Sequence, residues 1–231
     1  MTTQSEPEFR NKLNKTFARR IGKRLSDYNK NLLENILPQY QYSNEVLLNS
    51  QKKKKFLEIG FGMGEHLFNQ VTLNPDNLYI GAEVYLNGVA NFLKLATNVD
   101  NFLLWPNDLD RMLADMPENS LDGIYVLFPD PWHKRKYLKK RLVNKERLEL
   151  FKAKLKPTGF IAFASDIEDY FEDVRKLFAS DAQLTIQNTD FLVPHEGYVT
   201  TKYHQKALRE VRVARFIQAI LNSEALPAKT I

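Results

Sequence analysis

Three glycines at every second position, Gly60, Gly62 and Gly64, follow a short apolar run, Phe56-Leu57-Glu58-Ile59, and precede a helical segment that opens at Glu65. Glycines in such a turn let the backbone bend tightly and approach a ligand with no Cβ in between. A dinucleotide fingerprint would need Gly or Ala at position 65, where Glu65 stands. Its charge also opposes a pyrophosphate resting on the helix N-terminus. A ligand without phosphate fits better, and S-adenosylmethionine, with a cationic sulfonium and a ribose, is one. Acids stand where such a ligand needs them. Glu83 lies about twenty residues beyond the glycines, the place from which a carboxylate reaches ribose hydroxyls in an open α/β sheet. Glu58 is expected to face the amino-acid end of the ligand, and Asn107 with Asp108 the adenine amino group. One such acid is equally well explained as a polar strand terminus; several behind one glycine turn are not.

A second constellation is Phe128-Pro129-Asp130-Pro131-Trp132-His133-Lys134. Flanking prolines fix φ and hold Asp130 in place. Trp132 offers a flat face for stacking on a base, or is a buried tryptophan in a plain turn. Residues 131–156 carry eleven Lys/Arg against two acids, and residues 1–30 carry eight against three, while the whole chain is only +5. Two basic islands on an otherwise acidic body suit a polyanion, because phosphate neutralisation needs clustered charge. Solvated faces are the plainer alternative. Lys134, Arg135, Lys136, Lys139, Lys140 and Arg141 are the expected phosphate contacts. Asp166 either touches substrate or caps the helix after it.

These residues need a frame. Strand-like runs at Phe56–Ile59, Leu78–Glu83, Phe102–Trp105, Gly123–Phe128, Phe160–Ala164 and Leu184–Gln187 alternate with helical segments at Glu65–Val71, Gly88–Thr97, Leu109–Met116, Lys145–Leu155 and Asp166–Phe178. A further helix is expected from Ser26 to Leu37, stopped by Pro38. Ala207–Leu221 mixes helical and strand signals. The pattern predicts an α/β fold: an open, mostly parallel sheet of about seven strands with helices on both faces. Gly60/Gly62, Glu83, Asp108 and Asp130 then share one sheet edge, where such folds bind ligands.

With the motifs in view, the chain resembles the tRNA (guanine-N7-)-methyltransferase family, bacterial type. Glu58-Ile-Gly-Phe-Gly-Met-Gly64, Ile80-Gly-Ala-Glu-Val84, Phe128-Pro-Asp-Pro-Trp132, the basic stretch and Thr201-Lys202-Tyr203 carry the likeness, which runs from about Phe17 to Tyr203. The resemblance implies a Rossmann-like S-adenosylmethionine-dependent methyltransferase acting on N7 of guanosine in the variable loop of tRNA, position 46. By position, Glu58, Glu83, Asp108 and Asp130 correspond to cofactor-binding acids, with Asp130 also in the active site. Lys134, Asp166 and Thr201-Lys202-Tyr203 correspond to substrate contacts. Two departures stand out: His204 replaces a usual Glu, and Tyr137-Leu138 a usual His-Asn pair.

The expected organisation is a basic N-terminal arm over 1–25 and one methyltransferase domain over 26–231, in a cytoplasmic protein without a signal peptide, membrane span or metal. Cysteine is absent, and His66, His133, His195 and His204 form no metal-spaced set. Monomer and homodimer stay open. The rivals are an NAD-dependent oxidoreductase, disfavoured by Glu65, and an RNA-binding protein that keeps the fold without catalysis.

Overall fold

The computed structural model describes Arg20, Gly22 and residues 24–223. The basic arm expected over 1–25 therefore lies almost wholly outside the described residues. An opening helical stretch comprises α1 (Asp27–Asn31), a π turn (Leu32–Ile36) and a 3-10 turn (Leu37–Tyr40), and α2 (Asn44–Asn49) follows. Then come β1 (Lys55–Ile59), α3 (Glu65–Leu73), β2 (Leu78–Ala82), α4 (Leu86–Leu95), β3 (Phe102–Trp105), α5 (Leu109–Asp115) and β4 (Leu121–Leu127). A 3-10 turn (Arg135–Lys140) and α6 (Lys145–Lys154) lead to β5 (Leu155–Ser165), α7 (Glu168–Ser180), β6 (Leu184–Ile186), α8 (Lys202–Arg209) and β7 (Arg215–Leu221). No helix among the described residues is long and apolar enough to cross a membrane.

The strands form one seven-stranded sheet in the order β3-β2-β1-β4-β5-β7-β6. The first five run parallel, and β7 runs antiparallel to both β5 and β6. Strand order reverses between β1 and β4, which opens a crevice at their carboxyl ends. Alternation along β1 divides the core. Leu57 and Ile59 join Ile80, Ile124 and Phe163 on one face; Phe56 joins Leu67, Phe92 and Leu104 on the other.

Three expectations need correction. Pro38 does not stop the first helix but sits in the opening turn of the 3-10 segment, where a missing N–H costs nothing. Pro157-Thr158-Gly159 does not precede the fifth strand but lies inside it, as an irregularity against β4 with Thr158 at φ 64°. The mixed C-terminal signal resolves into two elements: α8 ends at Arg209, and β7 starts at Arg215.

Close packing at the glycine turn comes from a residue outside it. A Cβ on Gly88, in the first turn of α4, would lie 1.9 Å from the Gly62 carbonyl oxygen. Backbone cannot rotate out of the way as a side chain can. Gly88→Ala is therefore expected to destabilise the fold by about 1–3 kcal/mol or more, read as a lower urea midpoint; an unchanged midpoint would remove this constraint.

Candidate active site

A cleft of about 410 Å³ opens beyond the carboxyl ends of the central strands. Gly60 and Gly62 after β1, Glu83 and Tyr85 after β2, Asn107 after β3 and Asp130 after β4 line it, and Tyr203 of α8 closes it from the far side. All three glycines of the turn are left-handed, with φ of 71°, 60° and 86° at Gly60, Gly62 and Gly64, so only glycine takes these positions without strain. Each glycine does separate work. A Cβ on Gly60 would meet nothing within 4 Å and would simply fill ligand space. One on Gly62 would stand 3.1 Å from the Tyr203 ring, and one on Gly64 2.8 Å from Phe92. Glu83 clasps the turn to its own strand: Gly62 N–H donates to Oε2 and Tyr85 N–H to Oε1, both at 2.8 Å. Burial raises its pKa, against the pull of those backbone donors, and the nearby Asp130 adds to the rise.

A second cavity of about 560 Å³ adjoins the first and shares Asp130, Trp132 and Tyr203 with it. Asp166, His133, Lys206 and Arg212 complete its polar wall. The loop that carries Asp130 is held under strain, with Phe128 at φ 53° and Trp132 at φ 46° on either side of the two prolines. Asp130 is solvent-accessible as a residue, yet the walls around its carboxyl still raise its pKa by desolvation.

A family model described as "Putative methyltransferase" matches residues 52–215. The chain is 38% identical over 199 residues to the tRNA (guanine-N(7)-)-methyltransferase of Wolbachia pipientis wMel, covering 83% of this chain and 88% of that protein. The chain belongs to the tRNA (guanine-N7-)-methyltransferase family. It is also 58% identical over 208 residues to a protein named bifunctional methyltransferase from Rickettsia felis, covering 89% of this chain. The chain spans about two fifths of the length of that relative, 39%. Among solved structures, the 16S rRNA methyltransferase KamB is similar in fold, with a TM-score of 0.55 at 16% identity, covering 88% of this chain and 99% of that one.

The positions that carry the family motifs separate in space. Gly60, Gly62, Glu83, Asn107 and Asp130 converge on the first cleft as expected, and Tyr203 lies between the two cavities. Asp166 lines the second cavity and does not cap α7; Ile167 holds the cap position, and Asp166 Oδ2 instead accepts from Arg212 Nε at 2.6 Å. Lys134 and Lys202 are exposed beside these cavities without lining them. Four placements differ from expectation. Glu58, 4% exposed, points away from the cleft and bonds His66 Nδ1 at 2.8 Å, because strand alternation puts it on the face of Phe56. Gly64 does not line the cleft and packs closely against Phe92 of α4. Asp108 caps α5, its Oδ1 accepting from Asp110 and Arg111 N–H, and leaves the cleft wall to Asn107. Thr201 caps α8 through His204 N–H. Arg212, a cavity residue held by Asp166 and Glu210, was not anticipated, because it stands in the ambiguous C-terminal stretch.

The basic island also divides. Arg141 is 4% exposed: it donates to Pro131 O at 3.0 Å, Asp173 at 2.6 Å and Asp169 at 2.8 Å, which pins the Asp130 loop to α7. That role replaces the phosphate contact expected of it. Arg147 pairs with buried Asp110 through two bonds of 2.8 and 2.9 Å, and Lys152 pairs with Asp181. Lys134, Arg135, Lys136 and Lys139 stay exposed, and Lys140 lies over both the Trp132 and Tyr137 rings, at 4.8 and 4.7 Å. Among the described residues no group of three metal-ligating side chains converges.

The electrostatics yield a titration order. Glu83 and Asp130 are raised by burial, whereas Asp27 and Asp76 are lowered by hydrogen bonds from Lys30 and Lys53. A raised acid binds its proton in the folded state first, so folding stability from Glu83 and Asp130 should fall as pH rises through their elevated values. Carboxyl ¹³C NMR titration is expected to show Glu83 and Asp130 protonating at higher pH than Asp27 and Asp76. The reverse order would overturn the assignment of desolvated acids at the cleft.

Proposed function

We propose that this chain transfers the methyl group of S-adenosylmethionine to N7 of guanosine 46 in the variable loop of tRNA. The observation that carries this reading is Asp130, shared by two adjoining cavities, one built like a nucleoside pocket and the other flanked by exposed cations. The first cavity suits the cofactor chemically. Gly60 leaves open space where a Cβ would stand, and Glu83 keeps lone pairs on both oxygens for ribose hydroxyls after receiving its two backbone bonds. Asn107 offers an amide to the adenine edge. Glu65, first residue of α3, places a negative charge where a pyrophosphate would rest, which disfavours a dinucleotide.

When bound, S-adenosylmethionine supplies an electrophilic methyl group on a sulfonium cation. Guanine N7 has an in-plane lone pair and carries no proton, so the protein needs no general base. Its residues must align the base and exclude water, which can contribute roughly 7–11 kcal/mol at best. Asp130 aligns the base: its carboxylate accepts from guanine N1–H and N2–H, and its charge complements a cationic centre. Asp166, oriented by Arg212, is a second acceptor on the same cavity wall. Tyr203 and Trp132 offer flat faces across the two cavities. Lys134, Arg135, Lys136 and Lys139 contact phosphates, and the basic segment 1–25 adds the same charge to the same kind of partner. The methyltransferase domain is residues 26–231, and the reaction belongs to the cytoplasm, where tRNA is.

Transfer of labelled methyl to total tRNA, followed by nucleoside identification, tests the activity; the expected product is 7-methylguanosine. Asp130→Asn is expected to lower kcat/KM on the order of a hundred-fold, and near-normal turnover at saturating cofactor would overturn its role. For RNA affinity, Lys136→Ala or Lys139→Ala should reduce the salt slope by about 0.7–0.9 each. Arg141→Met should leave that slope unchanged while lowering thermal stability, since its guanidinium is bonded inside the protein.

A further inference from the structure

Beneath α3, on the face of the sheet away from Leu57 and Ile59, lies a polar chain that the cleft does not use. Glu58 Oε2 is 2.8 Å from His66 Nδ1, and His66 Nε2 is 3.0 Å from His195 Nε2. The rings of Tyr125 and Tyr198 pack around both histidines, and Glu58 and His66 are buried. We infer that Glu58, His66 and His195 form a directional latch that seats α8, and with it Tyr203, over the cleft. His66 and His195 are thus positioning residues for the proposed reaction, and the inference rests on that reading of the cleft.

The direction follows from the donors. Gln70 Nε2 donates to Gly197 O at 2.9 Å, which fixes it as the amide nitrogen, and it also stands 3.4 Å from His66 Nε2. His66 Nε2 is therefore an acceptor, and the single proton of a neutral imidazole is on Nδ1, donated to Glu58. His195 must then supply the N–H between the two Nε2 atoms. Burial and the neighbouring His66 push the His195 pKa down to about 3, so it is neutral with one N–H to give.

The latch reaches the site through contiguous contacts. Gly197 O also accepts from Asn69 Nδ2 at 2.9 Å, so α3 holds the loop at two points. Tyr198 follows and bonds His204 Nδ1 through its hydroxyl at 2.8 Å. His204 stacks on Phe128 at 5.4 Å, the residue that leads into the Asp130 loop, and its neighbour Tyr203 lies across Gly62. Loss of the His195 donor leaves His66 Nε2 with only the longer Gln70 contact in a buried place and removes one of the ties between this loop and α3, while Gly197 O keeps the other two.

Two measurements decide it. ¹⁵N histidine NMR on the unmodified chain at neutral pH is expected to show His66 protonated on Nδ1 and bare on Nε2, with His195 protonated on Nε2. A charged or Nε2-protonated His66 overturns the latch, and this readout needs neither activity nor a folded variant. In steady-state methylation, His195→Phe is expected to raise KM for tRNA on the order of ten-fold, with the Kd for S-adenosylmethionine within about two-fold. His195→Gln, whose amide can donate to His66 Nε2, should restore KM. An equal KM in all three proteins, or a KM rise in both variants alike, overturns the positioning role. If the unmodified chain methylates no tRNA, the reading of the cleft fails, while the NMR result still decides the latch.

Discussion

The Gly62 carbonyl occupies the space that a side chain on α4 would need, and much of the site follows from that contact. Gly88 permits it from one side, and the φ of 60° at Gly62 turns the peptide toward it from the other. With the carbonyl packed against α4, the Gly62 N–H points to the end of β2, where Glu83 accepts it. The clasp is thus a residue held at both of its polar ends, by a close approach and by a carboxylate. Because Glu83 also takes the Tyr85 N–H, the same acid orders the start of α4 that supplies Gly88. Turn, strand and helix fix one another, and a ligand arriving there meets a wall that need not reorganise.

This pre-organisation has a cost that the protein carries in its acids. Glu83 and Asp130 are both raised by desolvation, so each charge is held where water would stabilise it better. Asp110 shows the contrast: a carboxylate more deeply buried than either, it is met by two bonds from Arg147 and serves structure. A desolvated acid at a cleft is the arrangement that a cationic or hydroxyl-bearing ligand completes.

The frame was legible in the sequence because strand and helix periods differ and because the glycines and Asp130 stand at strand ends. The strand and helix types from β1 to β6, though not α8 and β7, and the placement of Gly60, Gly62, Glu83, Asn107 and Asp130 follow from that logic. What it could not resolve was which way a side chain faces once it is one residue from the edge. Glu58 lies two residues before Gly60, and pleating carries it under α3 to His66. Asp108 follows Asn107 directly, so only one of the two faces the cleft, and the acid is spent on the N–H groups of α5. Local backbone donors compete with a ligand for a short carboxylate, and motif position does not say which wins. Arg212 was missed for the opposite reason: its flanking valines read as strand, whereas the residue lies in the connector between α8 and β7.

Charge density along the sequence misleads in a related way. The surplus over 131–156 combines two populations that only the fold separates. Cations of the 3-10 turn are on the surface because three residues per turn and no apolar stripe give that segment nothing to bury. Of the cations of α6, Lys145 is exposed while Arg147, Lys152 and Lys154 are buried, with Asp110 and Asp181 meeting Arg147 and Lys152, and Arg141 reaches back to the acids of α7. The buried group has spent its charge on acids elsewhere in the chain, so it contributes little field at the surface. What remains for a polyanion is smaller than the count suggests but better placed. It sits on the segment directly after Asp130, tethered by the Arg141 bond to Pro131, so these cations and the Asp130 carboxyl are held in one register.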